Sequence, residues 1–146
     1  MSSVANILQK KPRGVVSVTP STSVREALKI MAAQNIGSVI VKDEDGAYLG
    51  ILTERDYARK VILQEKNSTT TLAGEIMSAN LPRVKPSDSH EKCMSLLVNH
   101  NVRYLPVFDE GVLVGIISLI DVIQATIEKQ KNTIGELQNF ISSNFA

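Results

Sequence analysis

AYLGILTERD at 47–56 and VLVGIISLID at 112–121 are one pattern written twice. Each is an apolar run that carries a glycine (Gly50, Gly115), reaches a hydroxyl residue (Thr53, Ser118) and is followed three residues later by an aspartate (Asp56, Asp121). The run reads as a strand, and the hydroxyl-to-aspartate step as the start of a helix. Working outward from the first copy, DEDGA at 43–47 is a turn, and SVIVK at 38–42 is a buried strand that hairpins onto YLGILT at 48–53. Before it, STSVREALKIMAAQN places Val24, Ala27, Leu28 and Met31 on one helical face. Ser23 with Glu26 suits a capping box at its start, and Asn35 and Gly37 suit its end. GVVSV at 14–18, closed by Pro20, is a further short strand. A second helix is expected from Glu54 to about Gln64.

The second copy replays that order. Val84 and Pro86 match Val18 and Pro20; Cys93, Leu96 and Leu97 line a helix; Asn101 matches Asn35; YLPVF at 104–108 matches SVIVK. Only the turn, DEG at 109–111, differs by one residue. Self-similarity of this kind governs every other assignment. Between the copies, KNSTTT is a polar linker and LAGEIM a short helix. The expected organisation is therefore a first domain at 4–66, a linker and short helix at 67–80, a second domain at 81–127, and an extension of the last helix at 128–146. Ile120, Ile123, Ile127, Ile134, Leu137 and Ile141 continue the helical pattern past the end of the repeat. Two readings of that stripe stand: a helix folded back on its own domain, or one that packs on a second subunit.

Bulk properties narrow the function. The chain has 146 residues, 43% of them hydrophobic, with 16 basic against 15 acidic side chains. That balance gives no strong nucleic-acid signal, since such binders carry a basic excess or stripe. One cysteine, Cys93, leaves no internal disulfide and no thiolate metal cluster. It reads as a small buried hydrophobe. No signal-peptide core is visible, and no apolar run reaches the roughly 18 residues a membrane span needs. The expectation is a soluble, cytoplasmic protein with no membrane partner. No P-loop, no GxSxG and no metal-ligand cluster is present, so no enzyme is expected.

The element order and the two motifs closely resemble the CBS domain family, named from cystathionine β-synthase. Its pattern is a glycine, two apolar residues, Thr or Ser, two variable residues and Asp, and both copies match it. The family's Pro-Val pair occurs as Pro106 and Val107; the first copy has Ile40 and Val41 there. The resemblance covers about residues 4–127. It implies an α/β (α+β) fold of tandem CBS repeats, each a small sheet with two helices, paired by a pseudo-twofold into a Bateman module. It further implies two clefts between the repeats that take adenosine ligands (AMP, ADP, ATP, S-adenosylmethionine or NAD), and a homodimer. No catalytic cofactor is implied. Free-standing pairs of this kind include some labelled as related to IMP dehydrogenase; the catalytic barrel is absent here, so no dehydrogenase activity follows.

The resemblance also carries residues over. Thr53 and Asp56, with Ser118 and Asp121, would hold the ribose. Ile36, Gly37, Ser38 and Val39 would meet the adenine in one copy, and Val102, Arg103, Tyr104, Leu105 and Pro106 in the other. Val18, Thr19 and Pro20, and Val84, Lys85 and Pro86, would cover the base. Arg103 and Arg55 are basic phosphate candidates, or else solvated surface charges. Tyr104 would stack on a base or pack the core. Lys10, Lys11 and Arg13 would reach a phosphate from the rim, or form a solvated tail. Because Gly37 stands where the other copy has Arg103, the clefts are expected to be unequal.

Physical chemistry supports part of this. A strand that ends where a helix begins offers free N–H groups and a hydroxyl to a phosphate. A first-turn carboxylate is favoured by the helix dipole and can accept from a ribose diol. Ordinary helix capping explains the same Thr/Ser-x-x-Asp spacing. The leading expectation is thus a regulatory sensor of adenosine nucleotides that signals to an unidentified regulated protein. The alternatives are a non-catalytic interaction module with vestigial clefts and an unrecognised nucleotide hydrolase.

Overall fold

The computed structural model describes residues 3–11 and 14–145; Arg13, the last of the basic run, lies outside the described residues. The chain divides into two compact units, Val15–Leu81 and Met1–Gly14 with Pro82–Ala146. The described residues before Val15 thus cluster in space with the second repeat.

In the unit Val15–Leu81, β1 (Ser17–Val18) pairs in parallel with β2 (Ser38–Lys42), which pairs antiparallel with β3 (Tyr48–Thr53). Helix α2 (Val24–Gln34) is capped by the Ser23 hydroxyl, which accepts from the Glu26 amide. It buries Val24, Ala27 and Met31 against Val39, Val41 and Leu52 of the sheet. Asn35 ends it at φ 54°, a left-handed conformation that asparagine tolerates better than most residues. Asn101 holds the matching position at φ 51°, which explains why this residue recurs in the repeat. Helix α3 is shorter than expected. It is α-helical only over Glu54–Tyr57 and then widens into a π turn at Ala58–Ile62. The turn sets Val61 in the core, while Lys60 returns to Asp56. Helix α4 (Ala73–Ile76) completes this unit with Ala73 and Ile76 in its core.

The other unit repeats the plan with α5 (His90–Asn99), β4 (Tyr104–Asp109), β5 (Val112–Ser118) and α6 (Leu119–Phe145). Val84 bridges Val107 in parallel, as β1 does to β2. Both hairpins carry a register shift at the same place, after Val41 and after Val107. Cys93 is fully buried beside Leu97, Leu105 and Ile117.

A further helix, α1 (Val4–Gln9), follows a Ser3 cap and buries Val4 and Ile7 in this second core. Its amides at Val4 and Ala5 donate to the carbonyls of Asp88 and Pro86, at 2.8 and 3.0 Å. In the first unit, Ala73 and Gly74 of α4 donate to Thr22 and Pro20, at 2.8 and 3.0 Å. These are the same positions in the two repeats. Each repeat is thus completed by a short helix that lies just before the other repeat in sequence.

Candidate functional site

In each unit a strand ends in a hydroxyl residue and turns directly into a helix. Gly37 and Ser38 bring the neighbouring strand to the same corner: Ser38 lies opposite Thr53, and the Gly37 carbonyl accepts from the Glu54 amide at 3.2 Å. In the second unit Tyr104 lies opposite Ser118, and the Arg103 carbonyl accepts from the Leu119 amide at 2.9 Å.

The carboxylates at these corners are held differently. Oδ2 of Asp56 accepts from the Thr53 amide and from the Thr53 hydroxyl, each at 3.0 Å. The hydroxyl oxygen in turn accepts from the Asp56 amide at 3.0 Å. Oδ1 accepts from the Ser78 hydroxyl and from Lys60 Nζ, each at 2.9 Å. Both oxygens are engaged, and the residue is only 6% exposed. In the second corner, Ser118 Oγ accepts from the Asp121 amide at 3.1 Å, and Asp121 Oδ2 accepts from the Ser118 amide at 2.9 Å. Lys11 Nζ reaches the same Oδ2 at 2.8 Å and the Ile116 carbonyl at 2.9 Å. Among the described residues no bond falls on Asp121 Oδ1, and the side chain is half-buried. A small open recess of about 80 Å³ lies beside it, lined by Ile7, Lys10, Lys11, Asp121, Ala125 and Glu128.

The free-amide phosphate seat expected from sequence is largely filled. The amides of Glu54 and Leu119 go to strand carbonyls, and those of Asp56 and Asp121 go to the capping hydroxyls. Capping and site chemistry thus use the same groups.

The remaining candidates separate by position. Ile36, Gly37, Ser38, Thr53 and Arg55 gather at the first corner half-buried; Val102, Tyr104 and Ser118 do so at the second, with Arg103 exposed. Val39, Leu105 and Pro106 turn their side chains into the interior, so they offer a ligand only backbone. Val18 pairs with Val41, and Val84 bridges Val107. Each is three rows along the sheet from Ser38 or Tyr104, about 10 Å at strand rise. Val18, Thr19 and Pro20, and Val84 with its neighbours, therefore stand at the other end of their own sheets. Val16, whose carbonyl accepts from Ile40 at 2.9 Å, is nearer the first corner.

Sequence reasoning did not find Lys60 and Ser78, or the pairing of Lys11 with Asp121. Lys60 had a local signal, four residues after Asp56 on a helix. Lys11 and Ser78 had none, because their partners are remote in the chain. Among the described residues no group of three or more metal-ligating side chains occurs, and no helix is long and apolar enough to cross a membrane.

Comparison with known proteins shows the family of this fold. The profile of the CBS domain matches residues 4–63 and 73–128. A solved structure of a protein with CBS domains from Burkholderia ambifaria is 45% identical, with a TM-score of 0.83 over 88% of this chain and 96% of that one. YhcV of Bacillus subtilis, a CBS domain-containing protein, is 35% identical over 83% of each chain. The mitochondrial CBSX3 of Arabidopsis thaliana is 31% identical, and the match takes in 87% of this chain but 64% of that longer protein. CBSX2, solved in complex with AMP, shares the fold at 24% identity and a TM-score of 0.71.

Proposed function

The chain belongs to the CBS domain family, and from that premise we propose that it is a non-catalytic sensor whose ligand is an adenosine nucleotide. CBS domains are typically regulatory modules. AMP, ADP, ATP and NAD share the ribose diol and anionic phosphate that the corners suit. The observation that carries the reading is at Asp121. Among the described residues the bonds to its carboxylate all fall on Oδ2, a recess lies beside it, and an ammonium stands next to it. A diol donates to a carboxylate and a phosphate pairs with an ammonium, so one residue pair addresses both ends of a nucleotide. That CBSX2 holds AMP on the same fold supports the ligand class.

The two corners are unequal in this reading. The second binds more tightly, because Asp56 has no oxygen to offer without giving up a bond. Sensing then requires only that the ligand favour one of two conformations. Calorimetry of the purified chain with AMP, ADP, ATP and NAD tests this. Saturable binding, weakened at least tenfold by Asp121→Asn, is expected. Absence of heat and of any melting shift at millimolar ligand would sink it.

One observation favours a second reading, an interaction module with vestigial sites: the corner at Asp56 is fully satisfied by its own chain. Partner capture that is indifferent to both Asp56→Asn and Asp121→Asn would support that alternative.

A further inference from the structure

Helix α6 runs unbroken from Leu119 to Phe145, about 40 Å at helical rise. Only its first two turns serve the core, through Val122 and Ala125. Along the opposite side Ile120, Ile127, Ile134 and Ile141 recur at intervals of seven. Ile123 and Leu137 fall three residues after Ile120 and Ile134, where the second seam position of a heptad belongs. All six are exposed, from 40% at Ile123 to 66% at Ile120, and Phe140 beside them is 61% exposed.

An apolar stripe for a flat protein surface follows a period of 3.6 residues and drifts against a repeat of seven. A strict repeat of seven stays in line only when the helix supercoils around another helix. With Phe140, these side chains expose on the order of 700 Å², close to the roughly 800 Å² that one partner contributes to a stable interface.

We propose that the exposed face of α6 pairs with α6 of a second copy of this chain, as a parallel, in-register two-stranded coiled coil. Three features select that occupant. β-Branched isoleucine at every first seam position, with leucine at the second seam position of the last full heptad (Leu137), follows the two-stranded parallel pattern, from which Ile123 departs. Gln130 occupies the second seam position of the middle heptad. In a parallel, in-register pair it meets its own copy, amide to amide; in an antiparallel or shifted pair it is set against isoleucine or leucine, with its polar atoms unpaired. The flanking positions carry no like-charge conflict, because Thr126 faces Lys131 of the other copy and Thr133 faces Gln138. A second copy supplies the same repeat, the same glutamine and the same length by identity.

The test uses the full chain in analytical ultracentrifugation and oxidative cross-linking. A two-chain mass is expected. Ile127→Cys and Ile141→Cys, made separately, should each give covalent dimers, since a parallel in-register pair sets each residue against its own copy. The native Cys93 is buried and does not compete. Adding Ile134→Lys to Ile127→Cys should abolish the cross-link. That side chain is 55% exposed, so the melting transition of the body should be unchanged. A one-chain mass would leave the helix to its own body or to an unlike protein and overturn the proposal. So would a two-chain mass with neither cross-link, which puts the interface elsewhere, or with only one, which makes the pair antiparallel.

Discussion

Lys11 and Asp121, 110 positions apart in the chain, are joined Nζ to Oδ2 at 2.8 Å. The matching carboxylate, Asp56, takes its cation from Lys60, four residues along its own helix. One motif is therefore neutralised locally in the first repeat and at long range in the second.

That difference predicts unequal costs of removing the two carboxylates. Asp56→Asn disturbs a buried network with both oxygens engaged, and should cost about 1–3 kcal/mol. Asp121→Asn breaks a half-buried pair with Lys11, and should cost about 1 kcal/mol or less. Urea unfolding of the two variants measures this; equal losses would show that the networks are equivalent. Lys11→Met should also speed hydrogen exchange in α1, whose amides at Val4 and Ala5 are held only by that docking.

The motif glycines carry a second prediction. A Cβ on Gly50 would stand 2.8 Å from the Ser78 carbonyl oxygen and 3.2 Å from the Met77 sulfur. A Cβ on Gly115 would meet the tip of Leu8 at 2.8 Å. A backbone oxygen cannot step aside, whereas a leucine methyl can rotate. Gly50→Ala should therefore cost about 1–3 kcal/mol, and Gly115→Ala clearly less. Thermal melts of both variants provide the comparison, and a larger loss at Gly115 would refute the argument.

Cys93 should be unreactive in the folded chain. Burial pushes its thiol up to about 11, with Asp88 adding to the rise and Lys92 opposing it. Since the thiolate is the nucleophile, alkylation near pH 8 should be slower than in the unfolded chain by on the order of a hundredfold. Because the folded value is raised, the associated stability is full below the unfolded value of about 8.5 and is lost as pH climbs toward 11. Rapid labelling under native conditions would contradict this.

Asp88 works in the opposite direction. Burial opposes its charge, but the Lys85 amide and the Lys92 ammonium outweigh burial and hold its carboxyl below the usual 3.8. Its contribution is therefore present above the unfolded value and lost as pH falls through the lower folded one. Asp88→Asn should flatten the acid limb of a stability–pH curve, measured by urea midpoints below pH 5. An unchanged limb would assign acid sensitivity to other carboxylates.

The hairpins and the caps were legible because their causes are local. SVIVK and YLGILT became β2 and β3 with the ends read from sequence, and Ser23 and Asn35 bound α2 as their chemistry requires. Helix α3 was read too long, since nothing in its sequence announces the π turn that brings Val61 inward. Helix α1 had a signal in Ser3, Val4, Ile7 and Leu8, a cap followed by one apolar face, but its docking surface lies more than eighty residues away. At the site, the residue types of both corners could be read, and their occupancy could not. Ser78 and Lys11 reach Asp56 and Asp121 only once the chain has folded back.

The exchange of α1 and α4 between repeats bears on how the chain is made. The core around α2 and β2 draws all its side chains from Val15–Leu81, so it can begin to close while the ribosome is still producing the rest. The N-terminal helix emerges first, yet the carbonyls of Pro86 and Asp88 and the core residues Leu105 and Ile117 that it packs against come much later. It must wait in solvent for several seconds at ordinary synthesis rates of about 5–20 residues per second. Refolding followed by pulsed hydrogen exchange should accordingly protect β2 and β3 before the amides of Val4 and Ala5. Simultaneous protection would mean that the two units fold as one.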